Sequence, residues 1–147
     1  MLLAVSTGWF VWRESQPLTI RTADGALVAS GALARSLSSQ LAGDSPSSSK
    51  VTIGLSFLAK SGNYCRTFSI AQGAEGSGLA CHGNGEWRIG VLSRPKAAGP
   101  REGSQYRTAG SSLPPAVLSA VQAQISGEPL DRAAEIVARE HGWRADR

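Results

Sequence analysis

Thiols, imidazoles and aromatic rings are scarce in this chain of 147 residues: two Cys, two His, and Phe, Trp and Tyr together only 6%. Cys65, Cys81, His82 and His141 include no Cys-x-x-Cys or His-x-x-x-His spacing, so a zinc-type centre is not expected. The nucleophile-elbow pattern Gly-x-Ser-x-Gly, the P-loop, the dinucleotide fingerprint and the kinase signature are all missing. Most enzyme classes drop out with them, and the expectation is a protein without catalytic residues or a bound cofactor. Charge is also thin, at 18%. The net +4 comes largely from residues 51–100, where five cations face two anions. Isolated Arg residues along strand-like segments read as a solvated basic face, not as a direct nucleic-acid footprint.

What is present fits one ordinary domain: 41% hydrophobic residues in a chain too short for two large cores. Residues 1–12 carry no charge and end at Arg13. As a helix they would cover about 18 Å of a hydrocarbon layer roughly 30 Å thick, so the segment reads as half a membrane span, a truncated anchor whose other half would precede Met1. Trp9, Trp12 and Arg13 would then mark the membrane interface, where indole rings settle at headgroup level. A secretory signal peptide is the competing reading, although a basic start and a small-x-small cleavage site are missing. A buried core element is the third.

The rest of the chain divides into residues 14–93, a helix plus an antiparallel meander, residues 94–111, a flexible connector, and residues 112–147, a helix pair of the same domain. Leu18 to Thr22 alternates like a strand, and Asp24 and Gly25 signal a turn. Leu33, Leu37 and Leu41 recur at helical spacing within 26–42, with Ser30 as a possible cap. Val51, Ile53, Leu55 and Phe57 are expected on one face of the first meander strand. Tyr64 to Ile70 and Gly78 to His82 follow, and Trp87, Ile89 and Val91 alternate along the last. This is a one-sided sheet of four or so strands whose apolar face needs a helical cover. Tyr106 and Arg107 suggest a further edge strand. Ser112 is expected to cap a helix bearing Val117, Leu118, Val121 and Ile125. A second helix, opened by Glu128 and Pro129, should bury Leu130, Ala133, Ala134, Val137 and Ala138 and close at Gly142. The short link makes the two an antiparallel hairpin. The fold class is α+β, a small antiparallel sheet packed against an N-terminal amphipathic helix and a C-terminal helical hairpin.

The two Cys are the main candidate pair. If the glycine-rich loop between them turns at Gly73, Cys65 falls directly opposite Cys81, within reach of a disulfide. Two small buried thiols remain the alternative. His82 beside Cys81 cannot form a dyad with it, because neighbours on a strand point to opposite faces. Glu128, Asp131, Glu135 and Glu140 interleave with Arg132 and Arg139 as a solvated charged face.

The ordered set Gly31 to Leu33, Leu37, Gln40 to Ala42, Ile53 to Phe57, Tyr64 to Phe68, Gly78 to Cys81, Trp87, Arg88, Tyr106, Arg107, Ser111 to Val117, Gly127 to Asp131, Glu135, Gly142 and Trp143 resembles the exported C-terminal portion of membrane-anchored anti-sigma factors of alphaproteobacterial type. The match runs over about residues 24–143. The resemblance implies a cytoplasmic segment that binds an extracytoplasmic-function sigma factor, one transmembrane helix, and a periplasmic domain held at the inner membrane. The sigma-binding segment is missing from the sequence given, so no inhibitory residue is carried over to any position. It also implies that Cys65 and Cys81 are oxidised, which makes the pair a candidate redox latch. The second functional expectation is a stand-alone envelope module that grips an anionic ligand through its sheet face or through the basic segment around Arg66, Arg88, Arg94 and Lys96.

Overall fold

The computed structural model describes residues 18–44, 48–71, 76–94 and 113–145. Its strands are β1 (Leu18–Ala23), β2 (Ala26–Ser30), β3 (Val51–Leu58), β4 (Tyr64–Ile70), β5 (Gly76–Gly83) and β6 (Glu86–Ser93). The helices are α1 (Gly31–Ser39), α2 (Pro115–Gln124) and α3 (Arg132–Glu140). One antiparallel sheet runs in the order β1-β2-β6-β5-β4-β3, so the α+β class holds, with six strands among the described residues where four or so were expected.

Local sterics account for two of the hairpins. Asp24 and Gly25 (φ 50° and 77°) join β1 to β2, and Asn84 and Gly85 (φ 53° and 77°) join β5 to β6. Two successive left-handed residues make the turn whose twist matches that of the flanking strands, and Asp-Gly and Asn-Gly are the pairs that adopt it most cheaply. The first turn corrects the helix boundary. Residues 26–30, expected at the start of a helix, form β2, because Val28 and Ala29 bury their side chains and β2 pairs with β6 at Leu27↔Ile89. Strands β2 and β3 are separated by β6, β5 and β4 and therefore run parallel, so α1 is the crossover between them.

The sheet is covered on both faces, not one. In β3 the register slips between Ile53 and Ser56, and in the β5–β6 pair it slips so that Leu79 faces Val91 while Ala80 faces Ile89. A bulge adds one residue and moves everything beyond it to the other face. Val51 and Ile53 thus join one core with Trp87 and Ile89, while Leu55, Phe57 and Val91 join a second. Gly54 sits in the first slip because a Cβ there would come within 2.7 Å of Thr67 Oγ1, the atom that accepts the Leu55 N–H.

Leu33 and Leu37 of α1 and Ala138 of α3 cover the first face, and Val117 and Val121 of α2 cover the second. The expected C-terminal hairpin is therefore corrected: α2 and α3 lie on opposite faces. The link between them wraps the β3 edge, with Ser126 N–H donating to Leu58 O, Leu130 N–H to Ser56 O, and Lys60 N–H to Gln124 O. That wrapping also protects an edge that would otherwise present unpaired backbone groups. Helix α3 begins at Arg132, later than expected, with the Asp131 carboxylate accepting the Ala134 N–H at 2.8 Å. Its buried side matches the expected one only in part: Ala138 is in the core and Leu130 packs against it. Glu135 and Ala138 are buried, Ala133 is exposed and Val137 is 52% exposed. Ser112, Tyr106, Arg107 and nearly all of the 94–111 connector lie outside the described residues.

Candidate functional site

Cys65 and Cys81 face each other across β4 and β5, with Cα atoms 4.0 Å apart and a disulfide between them. The register from Cys65↔Cys81 to Ile70↔Gly76 has its midpoint at residue 73, the position expected from spacing. No free thiol remains, so the alternative of two separate thiols is excluded. The bond lies on the α2 face in the core formed with Phe57, Leu79 and Val117. It ties the start of β4 to the end of β5, and hence the loops immediately beyond them.

Those loops border a cleft of about 500 Å³. Its walls are residues 61–63 from the β3–β4 loop, residues 82–85 around the β5–β6 turn, and residues 143–145 beyond α3. The last segment is aimed by the helix ending. Gly142 N–H donates to Arg139 O and Trp143 N–H to Ala138 O, the paired bonds of a Schellman cap with Gly142 at φ 65°. The cap folds the chain back so that the Trp143 ring packs in the core at 2% exposure while Arg144 stays exposed at the cleft.

His82 lines the cleft, on the face opposite Cys81. Its ring meets Trp87 edge-on at 5.0 Å and lies close to the Trp143 backbone. Burial pushes the imidazole below its ordinary value of 6.5; hydrogen bonding to the Trp143 backbone opposes this, and the Arg144 guanidinium adds to the depression. Held below 6.5, the ring is predominantly neutral at pH 7. The folded state takes up this proton less readily than the unfolded chain. Its contribution to stability is complete above pH 6.5 and is lost as pH falls through 6.5 toward the lower folded value. In urea titrations, the decline in unfolding free energy between pH 7 and pH 5 is expected to be shallower for His82→Gln than for the parent chain. Equal slopes would contradict the assignment.

A second cluster was not foreseen. Arg66 is fully buried and Glu135 is 2% exposed, yet they approach to 3.4 Å in the core under α1. The guanidinium also donates to the carbonyls of Leu37 and Gln40 and to Ser56 Oγ, and it lies 4.2 Å over the Trp143 ring. Glu135 accepts the Ala42 N–H at 3.0 Å. Arg66 thus closes the C-terminal end of α1, where carbonyls lack helical partners. Burial pulls Arg66 down to about 10, with Glu135 pulling the other way, so it stays charged at neutral pH. This arrangement is structural: neither group opens onto solvent.

It also corrects two expectations. Glu135 does not belong to a solvated charged face, and Arg66 cannot grip an anion from the surface. Arg88 and Arg94 are exposed, and Lys96 lies outside the described residues. Trp9, Trp12 and Arg13 lie outside the described residues too. Among the described residues, no helix is long and apolar enough to cross a membrane. The chain matches no protein-family profile, no curated protein and no solved structure.

Proposed function

We propose that this chain is the exported, non-catalytic domain of a membrane-anchored anti-sigma regulator, facing the periplasm while a cytoplasmic segment holds an extracytoplasmic-function sigma factor. The carrying observation is the Cys65–Cys81 disulfide built into the interior of the sheet. A structural bond of this kind belongs to oxidising compartments such as the periplasm. The ordered resemblance across residues 24–143 supplies the regulatory class. The apolar, Trp-bearing residues 1–12 supply the tether to the inner membrane.

The decisive experiment tags the chromosomal gene at its C-terminus. The expected result is a membrane-fraction product whose tag is cleaved by protease in spheroplasts, whose cysteines resist alkylation until reduced, and which co-purifies with a sigma factor. A soluble cytoplasmic product with freely alkylated cysteines would overturn the reading.

A further inference from the structure

We infer that the cleft between residues 61–63, 82–85 and 143–145 binds a small solute bearing an oxyanion, either a carboxylate or a phosphate. This site shares no residue with the basic set expected from sequence, and it stands whether or not the chain controls a sigma factor.

The charge balance of the walls points to an anion. Arg144 contributes a guanidinium, and among the described residues no Asp or Glu lines the cleft. In this it differs from Arg21, Arg66 and Arg132, which are matched by Glu86, Glu135 and Asp44. The remaining walls are rich in donors. The ladder ends at Gly83↔Glu86, which leaves the N–H groups of Asn84 and Gly85 outside it. The Asn63 amide nitrogen lies alongside Gly83, 3.8 Å from where a Cβ would stand. Gly62 and Gly85, at φ 88° and 77°, have open space where a side chain would project, so a ligand can approach their backbone closely.

The site is also formed in advance. The disulfide holds the first two walls together, the Asn-Gly turn fixes the second, and the Schellman cap fixes the third. A preformed cleft of this volume lies in the range of small-molecule sites, and its walls lose little freedom on binding. His82 reports occupancy. It is half-buried beside Arg144, the charged group that acts on it, and an anion seated there offsets that cation and favours imidazole protonation. By linkage, the same anion binds more tightly as pH falls.

The test is an amide and imidazole NMR titration of the full, oxidised chain in non-ionic detergent, with inorganic phosphate in one arm and citrate in the other. Ionic strength is held constant with chloride. The expected result in at least one arm is a saturable shift at Asn63, Asn84, Gly85 and Arg144, together with a rise in the His82 titration midpoint. Saturation by phosphate alone identifies a phosphoryl ligand, and saturation by citrate alone a carboxylate. Arg144→Gln, at an exposed position, is expected to weaken binding about tenfold, while Arg88→Gln outside the cleft leaves it unchanged. Shifts that never saturate, or that saturate with unchanged affinity in Arg144→Gln, would identify an adventitious ion only and overturn the proposal. So would the absence of shifts in both arms.

Discussion

Replacing Glu135 by Ala is expected to destabilise the protein by about 3–5 kcal/mol, the range found when one partner of a buried ion pair is removed. That is a large share of the roughly 5–15 kcal/mol that holds a typical domain folded. The reason is asymmetric. Without Glu135, Arg66 keeps the Leu37 and Gln40 carbonyls, Ser56 and the Trp143 face, but its charge remains fully buried with no counter-ion among the described residues. Without Arg66 the damage is wider. Arg66→Met leaves the Glu135 carboxylate with the Ala42 N–H, and it strips a donor from two carbonyls at the end of α1. Arg66→Met is therefore expected to be the more damaging single change. Arg66→Met combined with Glu135→Leu should recover part of the loss, since removing both charges removes the unpaired-charge penalty. Urea unfolding of the four proteins checks this. A loss below about 1 kcal/mol for Glu135→Ala would show that the pair contributes no more than a surface contact does.

Reduction of Cys65–Cys81, or its replacement by two alanines, is expected to cost about 3 kcal/mol, the loop-closure value for a bond spanning some 16 residues. The urea midpoint should fall accordingly, with the slope changed only as far as the reduced unfolded chain exposes more surface. Burial sets the kinetics. Cys65 is fully buried beneath α2 and Cys81 is half-buried, so reductant reaches the bond mainly through opening of the structure. Slow loss of the bond in mild reductant, speeding up as urea is added, is the expected pattern. It would assign the pair a structural role instead of that of a redox latch. Rapid reduction of the native protein in mild reductant would restore the latch. The oxidised and reduced forms should also differ at the cleft. The bond joins Cys65, two residues beyond Asn63, to Cys81, the neighbour of His82, and the amide signals of residues 61–63 and 82–85 are expected to broaden or split on reduction.

The cleft was legible in the sequence only in pieces. Asn84 and Gly85 announce a tight turn, Gly142 announces a helix end, and His82 stands out as one of two histidines. Nothing local indicates that these three segments meet, because they are joined by the sheet register and by the cap on α3. The Arg66–Glu135 pair was less legible still. Glu135 sits in a helix of alternating charge and Arg66 is an isolated cation on a strand, both patterns that normally mark a wet surface, and the two are brought together across a sequence separation of 69.

Sequence alone determined the elements whose cause is local. Two-residue turns follow from Asp24-Gly25 and Asn84-Gly85, because few other pairs tolerate two successive positive φ values. The opposition of Cys65 and Cys81 follows from counting residues about the loop midpoint. The leucine stripe of α1 and the glycine that closes α3 follow from helical period and from the left-handed cap. Tertiary structure decided the rest. The register slips at residues 53–56 and opposite Leu79 and Ala80 divide each apolar run between two faces, and only cross-strand pairing defines a slip. Once the sheet has two apolar faces, α2 and α3 must separate to cover both, and the chain between them wraps the β3 edge. Rotating α3 to bury Glu135 instead of Val137 follows in turn from a cation on a distant strand. A buried charge selects its partner by position in space, and the residues flanking Glu135 carry no trace of Arg66.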